Sequence, residues 1–277
     1  MERALADIAP PAWVTCAPSG DPAEAQRIAA ACGLRVVERP GTLRELLAEA
    51  NGLPVLVLGA TDAILHHQLE VERGGRRGEH EPPGFRLTPG MAQLRLQNAI
   101  KGDSDPLVRF AELAAGDRVV DLTLGLGGDA LLAAHATQAR VLGLEAHPVL
   151  AACAMASLAR AGHRNPRVAA VAARVEVVCA DHATWLAQRP ARSFEVALLD
   201  PMFRAPSAAA PAFELVRTFA LHQPLTPDTL LAARRVVTRC VLVKDAAPGH
   251  ELDRLGLVPL SSRRMPKVVF GRAPAGE

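Results

Sequence analysis

The run VVDLTLGLGGDALLAA, residues 119–134, constrains what this chain can fold into more than any other stretch. A β-branched apolar strand ends in an acid, Asp121; Gly125, Gly127 and Gly128 follow, and Asp129 opens an apolar helix. Glycine has no side chain, so a ligand can lie against the main chain of such a strand–turn–helix. The free N–H groups of the helix's first turn favour a polar or negative group there. Two ligands fit this pattern. Gly125-x-Gly127-x-x-Ala130, with Glu145 downstream, matches the relaxed dinucleotide fingerprint and would make a nicotinamide or flavin enzyme. The same turn equally suits the S-adenosylmethionine (SAM) site of a Rossmann-like methyltransferase, and the glycines alone do not choose.

Downstream of Asp117 strands and helices alternate. The apolar patterning predicts strands over 118–122, 140–145, 174–180, 193–200 and 234–244, helices over 129–138, 148–161, 182–188 and 227–234, and a final hairpin within 255–271. Alternation of this kind means a parallel, doubly wound sheet. The preceding chain predicts a small α/β unit: strands at 12–16, 33–39 and 53–59, a helix over 21–32 with Asp21 as N-cap and Pro22 in its first turn, and a helix after Thr42 with Glu45 in capping-box position. It has no phosphate-type glycine loop and reads as a structural or substrate-docking module. Residues 71–84, rich in Gly, Arg and Pro, read as a loop or hairpin tip. Helices are expected over 89–101 and from Pro106 to about Ala115, with Ser104 or Asp105 as cap. The chain therefore divides into an N-terminal unit, 1–85, and a second domain, 86–277.

A net charge of +2 is too small for nucleic-acid binding through bulk charge, although Arg73, Arg76 and Arg77, and later Arg263, Arg264 and Lys267, form local basic groups. The five cysteines, Cys16, Cys32, Cys153, Cys179 and Cys240, are scattered and lack metal-ligand spacing, so neither a zinc site nor a disulfide framework is expected. The acids of MERALADIAPPAW argue against a signal peptide, and no apolar run approaches a membrane span. A cytoplasmic protein without metal is the expectation.

Acids recur where strands end: Asp121, Glu145, Asp181 and Asp200. In a doubly wound sheet these positions face one crevice beyond the carboxyl ends of the strands. A carboxylate only accepts hydrogen bonds, so Glu145 suits the two hydroxyls of a ribose and Asp181 an adenine amine, while Asp121 and Asp129 suit an ammonium or sulfonium. So many carboxylates disfavour a pyrophosphate. The fourth strand ends in LLDPMFRAP, residues 198–206. Here Asp200 and the carbonyl of Pro201 can accept both N–H protons of a planar amine, proline fixes the turn, and Phe203 can stack on a base. Lys244, at the end of the fifth strand, reads equally as a phosphate contact or a sheet cap.

Asp-Pro-x-Phe in this position resembles the (Asp/Asn)-Pro-Pro-(Tyr/Phe) signature of methyltransferases that act on exocyclic amines. With DLTLGLGGD, Glu145 and the Asp181-His182 pair, it resembles the ribosomal small-subunit guanine-N2 methyltransferase family, over roughly residues 84–271. The stretch FRLTPGMAQLRLQNAIKGDSDPL and the N-terminal unit look still more like a poorly characterised bacterial branch related to it. The resemblance implies a Rossmann-like class I methyltransferase fold with a small N-terminal α/β unit, SAM as cofactor and small-subunit rRNA as substrate. It implies a cofactor pocket lined by Gly128, Asp129, Glu145, Ala146, Asp181, His182 and Asp200; the candidate cofactor site also takes in Asp121, Thr123, Gly125 and Gly127 of the turn, with Asp200, Pro201 and Phe203 holding the amine and its base. Methyl transfer to a small molecule or a protein, a nicotinamide enzyme, and a silent RNA-binding module are the alternative readings.

Overall fold

The computed structural model describes residues 12–39, 41–67, 84–87, 90–163, 165–200, 219 and 224–276. The first five strands are β1 (Trp13–Cys16), β2 (Arg35–Val36), β3 (Val55–Leu58), β4 (Ala63–His66) and β5 (Gly84–Arg86), ordered β2-β1-β3-β4-β5. β1, β2 and β3 are parallel, and β4 and β5 add to them antiparallel. The sequence pattern predicts the first three strands; β4 and β5 are additions to it. Helices α1 (Pro22–Cys32) and α2 (Leu43–Ala50) begin where their caps predict. The Asp21 carboxylate accepts the Ala23 N–H at 2.9 Å, and Thr42 with Glu45 closes a reciprocal capping box. Gly33 ends α1 in the left-handed region, φ +65°.

The second sheet holds β6 (Val119–Asp121), β7 (Val141–Glu145), β8 (Val175–Cys179), β9 (Phe194–Leu199), β10 (Val237–Ala246), β11 (Leu260–Ser261) and β12 (Val268–Pro274), ordered β11-β12-β10-β9-β6-β7-β8. Five strands run parallel, and β12 lies antiparallel between β10 and β11. The order reverses at β6, the switch point, where ligands bind outside the carboxyl ends of the strands. This is a Rossmann-like class I fold.

Side chains alternate across the sheet, so consecutive apolar residues serve opposite faces. Val196 and Leu198 of β9 join one core with α3 (Gly90–Ile100), α4 (Pro106–Ala111), α5 (Gly128–Thr137) and α7 (Pro166–Ala172). Ala197 and Leu199 join the other with α8 (His182–Ala187), α9 (Pro227–Val236) and α10 (His250–Arg254). Burial on both faces is why these strands read as continuous apolar runs. Helix α6 (Pro148–Arg160) is apolar all round because it is covered all round. Its Ala154 and Leu158 pack with α5, and Val149 to Cys153 with β1, β3, β4 and α1. Two expectations need correction. Arg234–Val236 belongs to α9 rather than to the fifth strand, because the Thr226 cap starts a helix whose face buries Leu230, Ala233 and Val236. Helix α7, capped by Asn165, occupies a stretch for which the sequence pattern predicts no element.

Candidate active site

The site begins where β6 stops. After Asp121 the chain leaves the sheet by crossing over its neighbours: the Leu122 N–H donates to the Leu198 carbonyl of β9 at 2.9 Å, and the Leu124 N–H to the Leu144 carbonyl of β7 at 2.8 Å. Gly125 and Gly127 take positive φ, +54° and +84°, which suits glycine. A Cβ built on Gly125 would meet none of the described residues within 4 Å, which leaves room against the main chain for a cofactor. A Cβ on Gly128 would stand 3.0 Å from the Ala92 side chain; that glycine lets α3 approach α5. Gly127 caps α5 and, being glycine, brings no side chain to the first-turn N–H groups.

The register places the other acids. Asp121 pairs with Gly143 on β7 and with Leu198 on β9. Glu145 and Asp200 therefore both lie two residues further out, on opposite sides of β6. Strand spacing separates the two strands by roughly 10 Å. Glu145 also ties the glycine turn to the start of α6. Its Oε2 accepts the Gly125 N–H at 3.0 Å and its Oε1 the His147 N–H at 2.9 Å. Each oxygen retains a second lone pair for a ligand. Burial pushes the Glu145 carboxyl above its ordinary pKa, and these N–H groups pull it partly back. Ala146 stands between the two anchored ends, half-buried. Asp181 caps α8, its Oδ1 accepting the Thr184 N–H at 2.8 Å. His182 follows in the first turn, its imidazole held below the usual pKa by burial.

On the β9 side a network of four carboxylates and two cations is assembled. Asp129 gives one oxygen to Arg95 (2.7 Å) and the other to Lys244 (2.9 Å). Lys244 also donates to Asp200, and Arg95 holds Asp105 through two bonds of 3.0 and 2.9 Å. The Asp200 N–H donates to the Thr123 hydroxyl at 2.6 Å, and the Thr123 N–H to the Asp121 carboxylate at 3.1 Å. Burial pushes Asp121, Asp129 and Asp200 up, and partners decide the outcome. Two cations hold Asp129 down at about 2. Asp200 shares one cation and stays above its ordinary value. Asp121 is pushed up to about 8 by burial and by the Asp129 and Asp200 charges. Lys244 is raised, because the two carboxylates outweigh its desolvation. With Asp121 protonated near neutral pH, three carboxylates face two cations and one negative charge remains. That sign complements a sulfonium.

The structure thus gathers Asp121, Thr123, Asp129 and Asp200 beyond the β6 and β9 ends and places Glu145, Ala146, Asp181 and His182 beyond the β7 and β8 ends. Asp129, expected to face a cationic ligand, has both oxygens on protein cations. Lys244, read from the sequence as a phosphate contact or a sheet cap, has its ammonium on Asp129 and Asp200. Arg95 and Asp105 carried no sequence signal as site residues, since their partners lie 10 to 34 residues away. Pro201, Phe203 and the Arg73, Arg76 and Arg77 cluster lie outside the described residues. Phe219 lies between two imidazoles, its ring centroid 5.2 Å from His147 and 5.0 Å from His67. No group of His, Cys, Asp and Glu suited to a metal occurs among the described residues, and none of their helices is long and apolar enough to cross a membrane.

The turn and its acids leave the choice between dinucleotide and SAM to comparison with known proteins. Residues 82–252 match the family model described as "Putative SAM-dependent methyltransferase". The chain belongs to the SAM-dependent methyltransferases. It is a SAM-dependent enzyme, and the dinucleotide reading is set aside. The chain is 36% identical over 227 residues to the ribosomal RNA small subunit methyltransferase J of Alkalilimnicola ehrlichii, covering 77% of this chain and 80% of that one. It is 40% identical over 148 residues to the protein of that name from Laribacter hongkongensis, a match spanning 52% of each chain. The SAM-dependent methyltransferase NGO1261 from Neisseria gonorrhoeae shares the fold, with a TM-score of 0.62 over 95% of both chains at 17% identity.

Proposed function

We propose that this methyltransferase modifies the N2 amine of a guanine in small-subunit rRNA. One observation carries the reading: Asp200 ends the fourth parallel strand with its N–H pinned by Thr123 and its carboxylate held by Lys244. The similarity to proteins named ribosomal RNA small subunit methyltransferase J supplies the substrate class.

Bound SAM supplies an electrophilic methyl group on a sulfonium. The chain's own residues do the rest by positioning. Glu145 accepts from the ribose hydroxyls with the lone pairs that Gly125 and His147 leave, Asp181 accepts from the adenine amine, and Ala146 and His182 line that end. Asp121, Thr123 and the glycines Gly125, Gly127 and Gly128 cradle the methionine end, with Asp129 behind them setting the charge. A guanine N2 lone pair is delocalised into the ring and must be aimed. Asp200 and the Pro201 carbonyl accept its two N–H protons, and Phe203 stacks on the base. Once methylated, the nitrogen is acidic and loses its proton readily. A base inside a helix must first be flipped out. Residues 1–85 act as a separate module, 86–277 carry the chemistry, and the enzyme works in the cytoplasm, where its RNA is.

Small subunits from a strain lacking the gene, incubated with the enzyme and methyl-tritiated SAM, should take label into RNA as a single N2-methylguanosine. Asp200→Ala should cut transfer at least about a hundredfold while SAM affinity stays within a few-fold. Label in protein, or in small molecules only, would replace the RNA assignment; full turnover by Asp200→Ala would remove the role of that residue.

A further inference from the structure

We propose that Lys244 is a positioning residue for methyl transfer, fixing the Asp200 carboxylate as an acceptor from an ammonium that is itself anchored through Asp129 and Arg95. This deepens the reading above and rests on the role given there to Asp200.

Three observations carry it. Lys244 stands near the carboxyl end of β10, beside β9, and its side chain is only 15% exposed. Its ammonium bridges two acids from different elements, Asp129 of α5 at 2.9 Å and Asp200 at the end of β9. The Asp129 end is immobilised in turn by Arg95 of α3, which Asp105, the cap of α4, holds through two bonds. A flexible lysine normally loses much rotamer freedom when it makes one contact. Here the far end of the chain of ion pairs is fixed by a helix-capping group, so the ammonium has one place to be. Asp200 is thereby fixed twice, at its N–H by Thr123 and at one carboxylate oxygen by Lys244.

The chemistry needs both fixings. Ionised, the carboxyl accepts through either oxygen; protonated, it keeps some acceptor capacity but turns one oxygen into a donor where the amine also has donors. Among the described residues, the charged groups facing Asp200 are Lys244 and Arg95, which favour its ionised form, and Asp129 and Asp121, which oppose it. Lys244 is the cation in contact with it. Without that ammonium the Asp200 pKa moves further up, and the ionised fraction falls at any pH near neutrality. The acid limb of kcat then moves to higher pH.

The experiment uses the full-length enzyme, small subunits from the deletion strain, and Lys244→Met, Lys244→Arg and Asp200→Asn. Lys244→Met should lower kcat about a hundredfold, a loss expected of misplacing a catalytic group by about an ångström. SAM affinity should change by less than about fivefold, and the acid limb should move upward. Lys244→Arg should restore at least a tenth of the activity. The double variant Lys244→Met/Asp200→Asn should be no slower than Asp200→Asn alone. A carboxyl-13C NMR titration, with Asp200 assigned by Asp200→Asn, reads the same effect without any acceptor: its pKa should rise in Lys244→Met. Wild-type kcat in Lys244→Met, or an unmoved Asp200 titration, overturns the inference. If Asp200→Ala is itself fully active, it is the parent reading that falls; if Asp200→Asn is fully active, the ionised carboxylate is not needed and the role of Lys244 falls with it. If Asp200→Asn is dead while Lys244→Met is untouched, only the role of Lys244 is lost.

Discussion

Asp121 shows how one residue can be read for its charge state and not only its position. It is 2% exposed and lies beside two other carboxylates. Its folded pKa, about 8, lies above the ordinary carboxylate value of about 4. The folded chain therefore holds a proton that the unfolded chain gives up. That contribution to stability is complete below about pH 4 and is lost as pH rises through about 8. In the absence of cofactor, the denaturant midpoint should fall between pH 6 and 8. Asp121→Asn, permanently neutral, should flatten that slope; an equally steep slope in the variant would show that Asp121 is ionised in the folded protein.

At the scale of elements, the turn between α6 and α7 is as demanding as the glycine loop, though nothing in the sequence marks it as functional. A Cβ on Gly162 would stand 2.1 Å from the Ala169 nitrogen and 2.2 Å from its Cα, and backbone cannot swing aside as a side chain can. Gly162→Ala should cost about 2–3 kcal/mol, read as a lower midpoint in urea with an unchanged slope. Element starts were the most legible part of the chain. Asp21, Thr42 and Asp105 each accept a first-turn N–H, as expected from an oxygen-bearing side chain ahead of an apolar-periodic stretch. Element ends and the short strands were less legible. β4 and β5 pair antiparallel at one side of the first sheet, and pairing between distant segments leaves little local pattern to read.

At the scale of the molecule, the described residues join the two sheets through α6, through α1 against β8, and through an ion pair between α6 and α1. The Arg160 side chain is 6% exposed, forks onto Glu24 of α1 at 2.8 and 2.7 Å, and donates to the Gly59 and Asp62 carbonyls. Removing one partner leaves the other charge buried and unpaired. Arg160→Leu should cost about 3–5 kcal/mol, and because Arg160 holds the first sheet, limited proteolysis should cut first within the first 67 residues. Uniform resistance would mean that apolar packing unites the sheets without Arg160. The same joint places Phe219 between His67 of the first unit and His147 beside Glu145.

By itself the sequence determined the strand–turn–helix at 119–134, the alternation that makes a doubly wound sheet, and the acids at the strand ends. Each is written in consecutive residues, through apolar periodicity, glycine placement or an acid after an apolar run. The tertiary structure decided which charges meet. Arg95, Asp105, Asp129, Asp200 and Lys244 come from five places in the chain, and only the folded sheet brings them within hydrogen-bonding distance. The same contacts decided that Asp129 faces protein cations and that Asp121 keeps a proton. Coulomb attraction and desolvation depend on distance and burial, and neither quantity exists until the chain is folded.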